Sequence, residues 1–467
     1  MSSDTKNSFN TINPTTGKVI QEYTQMSESE ANSTIEKCHE AFKEWRHKPI
    51  QDRATIIKAI GKTMMDHKEE LAELMTDEMG KLLEQSIQEI ELCAAICDYT
   101  AANGPENLKN LYRELADGER GVITFSPIGV IYGIQPWNYP VYQVIRYAVS
   151  NLTAGNGVLL KHASNVTGTG KMLEQLFLNA GLPAHLFSVL IIDHDQSDAV
   201  ISNDKVRGVT FTGSSEAGQG IGEKAGAALK KSVLELGSND AYIVLADADI
   251  QLAVEMCVKG RVYNNGETCI AAKRFIVVDA VYEPFKEAFV KTMSELKTGN
   301  PKDDSVDIGP MAREDLREKM HDQVLKSVEK GAEILCGGKI PEGEGYYYPA
   351  TVLGSVEKGQ PAYDDEIFGP VAALIKAKDT EDAMRIANDS RFGLGGGIFS
   401  KDEKKAIELA SAHFDTGMIF INTFGLAKPP MPFGGVKNSG FGREHGGFGI
   451  KEFVNVKSII IGESIEN

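Results

Sequence analysis

Gly129-Val130-Ile131-Tyr132-Gly133-Ile134-Gln135-Pro136-Trp137-Asn138-Tyr139-Pro140 is an apolar run that stops at a turn held by two prolines. An unbroken apolar run suits a strand buried on both faces. The prolines restrict the backbone of the turn that follows it. Further apolar runs lie at 158–161, 187–192, 209–212 and 232–236, each followed by helix-like or glycine-rich sequence. This alternation predicts βαβ units on a parallel sheet, and hence an α/β fold. A second alternating block has strands expected at 242–245, 275–279, 371–376, 396–399 and 418–422, with helices such as 282–296 and 313–330 between them. The boundary between the blocks falls near Gly237. Upstream, a strand-like start over 13–23 gives way to helices. Ser27 and Glu30 have capping-box spacing before a helix running to about Trp45, and two more are expected over 51–79 and 82–104. Segments 122–125 and 453–461 are β-rich and belong to neither block. Exposed strand edges need a partner, so they are expected to pair with each other or with another subunit.

A chain of 467 residues exceeds one ordinary core, so two or three domains are expected. Its 42% apolar and 25% charged residues match the globular average. No stretch approaches the roughly 20 apolar residues of a membrane-spanning helix, and the polar N-terminus lacks the apolar core of a signal peptide. A cytoplasmic location without membrane attachment is expected. The formal charge of −17 argues against a nucleic-acid partner, which would require a basic footprint. Six cysteines do not form a disulfide framework in a chain this long, and Cys93 and Cys97 lack metal-ligand spacing, so no metal site is expected. Cys38, Cys93, Cys97, Cys257 and Cys336 read as small buried apolar residues.

Cys269 stands apart, in Asn264-Asn265-Gly266-Glu267-Thr268-Cys269. A cysteine after a glycine turn can begin a helix, where its pKa falls and its thiolate becomes accessible; the other reading is one more buried thiol. Glu235 ends the apolar run Val233-Leu234-Glu235-Leu236-Gly237, at the strand edge where open α/β sheets place ligands, or else simply faces solvent. Asn138, held rigidly between prolines, offers an amide to a developing oxyanion or caps the next helix. Phe211-Thr212-Gly213-Ser214 is a glycine turn able to present backbone N–H groups to a phosphate, although it lacks the G-x-G-x-x-G fingerprint.

Taken in order, these motifs resemble the aldehyde dehydrogenase superfamily over essentially the whole chain. The match rests on Pro136-Trp137-Asn138-Tyr139-Pro140, Gly155-Asn156 with Lys161, Phe211-Thr212-Gly213-Ser214, Leu234-Glu235-Leu236-Gly237 and Asn265-Gly266 with Cys269. It continues through Glu366-Ile367-Phe368-Gly369-Pro370 and Pro432-Phe433-Gly434-Gly435. Within the superfamily the chain is most similar to the succinate-semialdehyde dehydrogenase group, through Lys161-His162-Ala163-Ser164 and Lys437-Asn438-Ser439-Gly440-Phe441-Gly442.

The resemblance implies a dinucleotide-binding domain over 1–112 and 127–236, a catalytic domain over 237–450, and an oligomerisation element from 113–126 and 451–467 that makes a homodimer or homotetramer. It implies that Cys269 attacks the aldehyde carbon, that Asn138 and the Cys269 N–H receive the oxyanion, and that Glu235 activates the water hydrolysing the thioester. NADP or NAD would be held by Trp137, Lys161, Ser164, Gly213, Ser214, Glu366 and Phe368. Ser164 stands where NAD-preferring relatives commonly have Glu, so it favours the 2′-phosphate of NADP. Arg146 falls where the group places an arginine for the substrate carboxylate, a role its fork suits.

Several positions depart from the pattern. Ala427 replaces a substrate-binding serine among the apolar neighbours Phe424 and Leu426, with Lys428 as a substitute carboxylate partner; an uncharged aldehyde is the competing substrate. Ser238 replaces a glycine. Glu267 replaces a glutamine and would raise the pKa of Cys269 if it pointed inward.

Overall fold

A computed structural model describes residues 7–462. Residues 1–6 and 463–467, the outer ends of the expected cofactor domain and oligomerisation element, lie outside the described residues. Two mainly parallel sheets carry the architecture. The first has six strands in the spatial order Gly440–Phe441, Lys231–Glu235, Val206–Thr212, Val130–Gln135, Gly157–His162 and Phe187–Val189. Its five longer-range partners after Gly440–Phe441 are parallel. The chain steps outward from Val130–Gln135 in one direction, then returns to its other side with Val206–Thr212. That reversal creates a crevice beyond the carboxyl ends of these two neighbouring strands, the place where open α/β sheets bind ligands.

The second sheet has seven strands. Ala241–Val244 and Arg274–Val278 lie at its centre, and only the edge strand Glu333–Cys336 runs antiparallel. Side chains alternate across it: Tyr242 and Val244 join one core cluster, while Ala241 and Ile243 join another. Burial on both faces explains why these strands read as continuous apolar runs.

The predicted strands of both blocks are present, with local differences. The 418–422 run shortens to Phe420–Ile421, and the edge strand Glu333–Cys336 and its neighbour Thr351–Gly354 were not signalled by a long apolar run. The expected helix over 51–79 divides into Ile50–Asp66 and Lys68–Met79, because His67 leaves helical geometry at φ −116° and ψ 25°. The capping box at Ser27 and Glu30 forms as expected. Four of the five structural cysteines are buried, and Cys336 is half-buried.

Helix Tyr142–Ala154 is buried along its entire length against the first sheet. At Gly133 a side chain would run into the ring of Tyr147, so the strand must be bare there for the helix to approach. The carboxylate of Glu89 accepts the Val141 and Tyr142 N–H groups at 2.9 and 2.8 Å and so caps the helix where its dipole is positive. Glu89 also pairs with the buried Lys81. Segments Arg120–Pro127 and Val454–Ile461 pair with each other antiparallel over their full length, with Leu111–Glu114 completing a three-stranded sheet.

Candidate active site

The turn carrying Cys269 is unusual in its backbone. Asn264 and Asn265 both sit at φ 56° and Gly266 at φ 76°, three successive left-handed residues. Asn and Gly tolerate that conformation best, which accounts for the composition of the motif. The turn is tied down from several sides. Asn265 Nδ2 donates to Gly80 O and Pro310 O at 2.9 and 3.0 Å, and its Oδ1 accepts from Gly309 N at 2.8 Å. Asn264 Nδ2 donates to Asn138 O at 2.9 Å, joining the turn to the proline-bounded loop. Asn138 Nδ2 in turn donates to Glu267 O at 3.0 Å, so this amide locks two loops together rather than capping a helix.

The expectation that Cys269 begins a helix is corrected. It follows a short 3₁₀ turn and leads through four residues into the strand Arg274–Val278. The thiol is half-buried, and desolvation pushes it up to about 12, against the pull of Arg146 and Lys273. Glu267 points away from the thiol: its Oε1 accepts from Ala312 N at 3.2 Å, and burial holds the carboxyl well above the ordinary range.

Cys269 opens onto a cavity of about 250 Å³ at the strand reversal, which Trp137, Asn138, Gly213, Ser214, Glu366 and Phe368 also line. Trp137 and Phe368 meet edge to face at 5.9 Å between ring centres. Ser214 caps helix Ser215–Ala227 through its hydroxyl, which accepts from Ala217 N at 3.2 Å. Glu366 Oε1 accepts from Ser238 N at 3.0 Å. A second cavity, of about 350 Å³, lies at the ends of the neighbouring strands and is lined by Lys161 and Ser164 together with His194 and Arg313. Burial pulls the Lys161 ammonium below its ordinary range, so an anionic or hydroxyl-rich group beside it would be welcomed. A glycine turn at a helix start, an aromatic pair and a cationic cavity along one strand edge fit a dinucleotide. His194 and Arg313 had no sequence signal, because each lies far along the chain from the Lys161 motif.

Glu235 is only 2% exposed, and neither carboxylate oxygen meets a hydrogen-bond donor among the described residues. Burial holds its carboxyl well above the usual range, opposed by Arg146 and reinforced by Glu444. Arg146 is also buried. Its Nε pairs with Glu444, its Nη2 donates to Thr212 Oγ1 at 2.7 Å, and its guanidinium lies 4.9 Å from the ring centre of Phe433. Arg146 Nη1 has no hydrogen-bond partner among the described residues. Lys428 is exposed and does not line the Cys269 cavity, whereas its neighbours Phe424 and Ala427 are buried. No cluster able to hold a metal occurs among the described residues.

Comparison with known proteins decides what this geometry belongs to. A family model described as the aldehyde dehydrogenase family matches residues 1–459. The chain belongs to that family. As an aldehyde dehydrogenase it is 43% identical over 448 residues to the NAD(P)+ succinate semialdehyde dehydrogenase Sad of Escherichia coli (strain K12), covering 96% of each chain. It is 40% identical to the NADP+ succinate-semialdehyde dehydrogenase of Deinococcus radiodurans, over 97% of this chain and 94% of that one. The crystal structure of the Streptococcus pyogenes succinic semialdehyde dehydrogenase with NADP+ superposes with a TM-score of 0.94 at 36% identity, covering 97% of this chain and 99% of the other. The α/β fold is thus that of an NAD(P)-dependent aldehyde dehydrogenase, and its substrate is an aldehyde. No helix among the described residues is long and apolar enough to cross a membrane.

The raised thiol has a direct consequence. In the protein without cofactor, alkylation of Cys269 by iodoacetamide should climb about tenfold per pH unit from pH 7 to 9, because the thiolate fraction does so below the pKa. Labelled-peptide mass spectrometry reads it; a rate already flat at pH 7 would show the thiol to be ionised there.

Proposed function

We propose that this aldehyde dehydrogenase oxidises succinate semialdehyde to succinate, preferring NADP and accepting NAD. The observation that carries the substrate assignment is Arg146, a buried guanidinium beside Glu235 and Cys269 with Nη1 still unpartnered. A carboxylate is the group that such a donor would recognise, and the names of the relatives agree with it. Ser164 beside Lys161, with Arg313 on the same cavity, supports NADP: cations and a hydroxyl suit a 2′-phosphate that a carboxylate would repel.

In this reading Cys269 gives its thiol proton to solvent, its Sγ adds to the aldehyde carbon, and the new oxyanion is received by Asn138 Nδ2 and the Cys269 N–H. A nicotinamide held by Glu366 and Phe368 would supply the hydride acceptor, and the oxidised carbon would remain on Cys269 as a thioester. Glu235 takes a proton from the attacking water, and the acid is released. Burial favours its neutral form, so it gains strength as a base as the pH rises. The domains are those of the sequence reading, with Gly440–Phe441 lent across to the cofactor sheet. Six unpaired thiols support a reducing, cytoplasmic setting. Val456, Ile459 and Ile460 are exposed on an edge strand, which supports burial against another copy in a homodimer or homotetramer.

A second reading has its own observation. Arg146 is already paired with Glu444, and Tyr263 and Phe424 stand 6.2 Å apart near the nucleophile's turn, surroundings suited to an uncharged aldehyde.

Three measurements test these proposals. With NADP, kcat/KM for succinate semialdehyde should exceed that for butanal, and Arg146→Ala should lower the former by about 10²-fold, the loss expected of one charge-assisted contact of ~3 kcal/mol. Equal use of butanal, indifferent to Arg146, would favour the second reading. Glu235→Gln should give one turnover of NADPH and then stall, with a stable acyl adduct on Cys269 by mass spectrometry; sustained turnover would remove Glu235 as the base. Ile460→Asp should lower the mass seen by light scattering to that of a smaller assembly, whereas an unchanged mass would place the subunit contact elsewhere.

A further inference from the structure

Lys273 lies four residues beyond the nucleophile and its side chain is 2% exposed. An ammonium has three donors, and here each has an acceptor. Nζ donates to Cys269 O at 2.6 Å and to Thr268 O at 3.2 Å, and it lies 3.3 Å from Glu366 Oε1. Beneath it is a buried carboxylate. Asp240 Oδ1 accepts from Ser238 Oγ and, at 3.1 Å, from Gly395 N, while its Oδ2 has no hydrogen-bond partner among the described residues. Ser238 N also donates to Glu366 Oε1 at 3.0 Å. The serine that departs from the family's glycine therefore joins both carboxylates around Lys273.

The peptide unit is planar, so fixing the Thr268 carbonyl fixes the direction of the Cys269 N–H across the same bond. We propose that Lys273 is a positioning residue: it aims the Cys269 N–H at the substrate oxygen and ties that peptide to Glu366 on the cofactor side of the cavity. This rests on the reading of Cys269 as nucleophile and Glu366 as cofactor contact. The side chain forms no bond to substrate in this role. Its effect passes through the two carbonyls that it holds and through its charge.

The charge matters because the thiol is faced by groups from several elements. Arg146 comes from helix Tyr142–Ala154, Lys273 from the turn, Glu366 from the loop before Val371–Ala377, and Asp240 from the start of Ala241–Val244. Tyr139 and Tyr142 also face it. The two cations favour the thiolate; the two carboxylates oppose it.

The test measures kcat, KM and the pH profile of Cys269 alkylation in the full-length protein with NADP. K273M should lower kcat by about 10²–10³-fold, as loss of one oxyanion donor does, with KM little changed, and should move the alkylation profile to higher pH. K273R, which keeps the charge and the donors, should restore the profile. Because K273M leaves Asp240 buried without its cation, K273M/D240N is measured beside it and should show the same fall in kcat. A kcat unmoved in K273M/D240N, or an alkylation profile unmoved in K273M, would overturn the proposal, as would a fall in kcat explained wholly by fewer titratable active sites. Cys269→Ser separates the two levels. If that variant still turns over, the nucleophile assignment fails. If it is inactive while the Lys273 variants behave as the parent, only the role of Lys273 fails.

Discussion

A half-buried thiol and a buried carboxylate that face the same buried arginine set the constraint under which the rest of this site is arranged. Desolvation disfavours the charged form of both groups, and both are pushed upward: Cys269 to about 12 and Glu235 well above a normal carboxylate. Isolated charges in such surroundings are costly unless they are paired. The protein offsets the cost with two buried cations, Arg146 and Lys273, each shared with a further carboxylate, Glu444 and Glu366 respectively. Chemistry at the thiol is therefore set by a balance of several charges rather than by one activating partner. The backbone geometry obeys the same constraint. Left-handed Asn264, Asn265 and Gly266 turn the chain sharply enough to put Cys269 at the cavity, and their side chains satisfy neighbouring polar groups so that the bend can be buried.

Much of the fold was legible because both sheets are covered on both faces. Continuous runs such as Val130–Gln135 and Arg274–Val278 are the direct signature of that environment. Edge strands were less visible. Glu333–Cys336 and Gly440–Phe441 are short, half-exposed or both, and no periodicity survives in so few residues. The break at His67 was hidden for a different reason: the apolar spacing continues through it, and only the backbone angles change.

Candidate residues stood out where one short motif holds both the residue and its turn, as with Asn138, Glu235 and Cys269. The site was illegible where partners converge from distant parts of the chain. Nothing near Arg146 in sequence announces Glu444, and nothing near Lys161 announces Arg313. The departures from the family pattern also gain meaning only in three dimensions. Glu267, adjacent to the nucleophile's loop in sequence, turns its carboxyl to Ala312 N and toward the charge of Lys81. Ser238, which reads as a minor exchange for glycine, bonds to Asp240.

The strand Gly440–Phe441 has a bearing on how the molecule is made. It zips along Leu234 and Glu235, Glu444 follows at once to meet Arg146, and the carbonyl of Phe453 accepts from Asn156 Nδ2 at 2.8 Å. Glu235 and the buried Arg146 are thus completed by residues far along the chain from them. At roughly 5–20 residues per second on the ribosome, the strands from Val130–Gln135 to Lys231–Glu235 emerge about ten seconds or more before those partners. Until then an unpaired sheet edge and a buried guanidinium without its counterion remain in the nascent chain. Closure by such distant contacts is intrinsically slow. A chain that stopped before Gly440 would leave Glu235 and Arg146 without these partners.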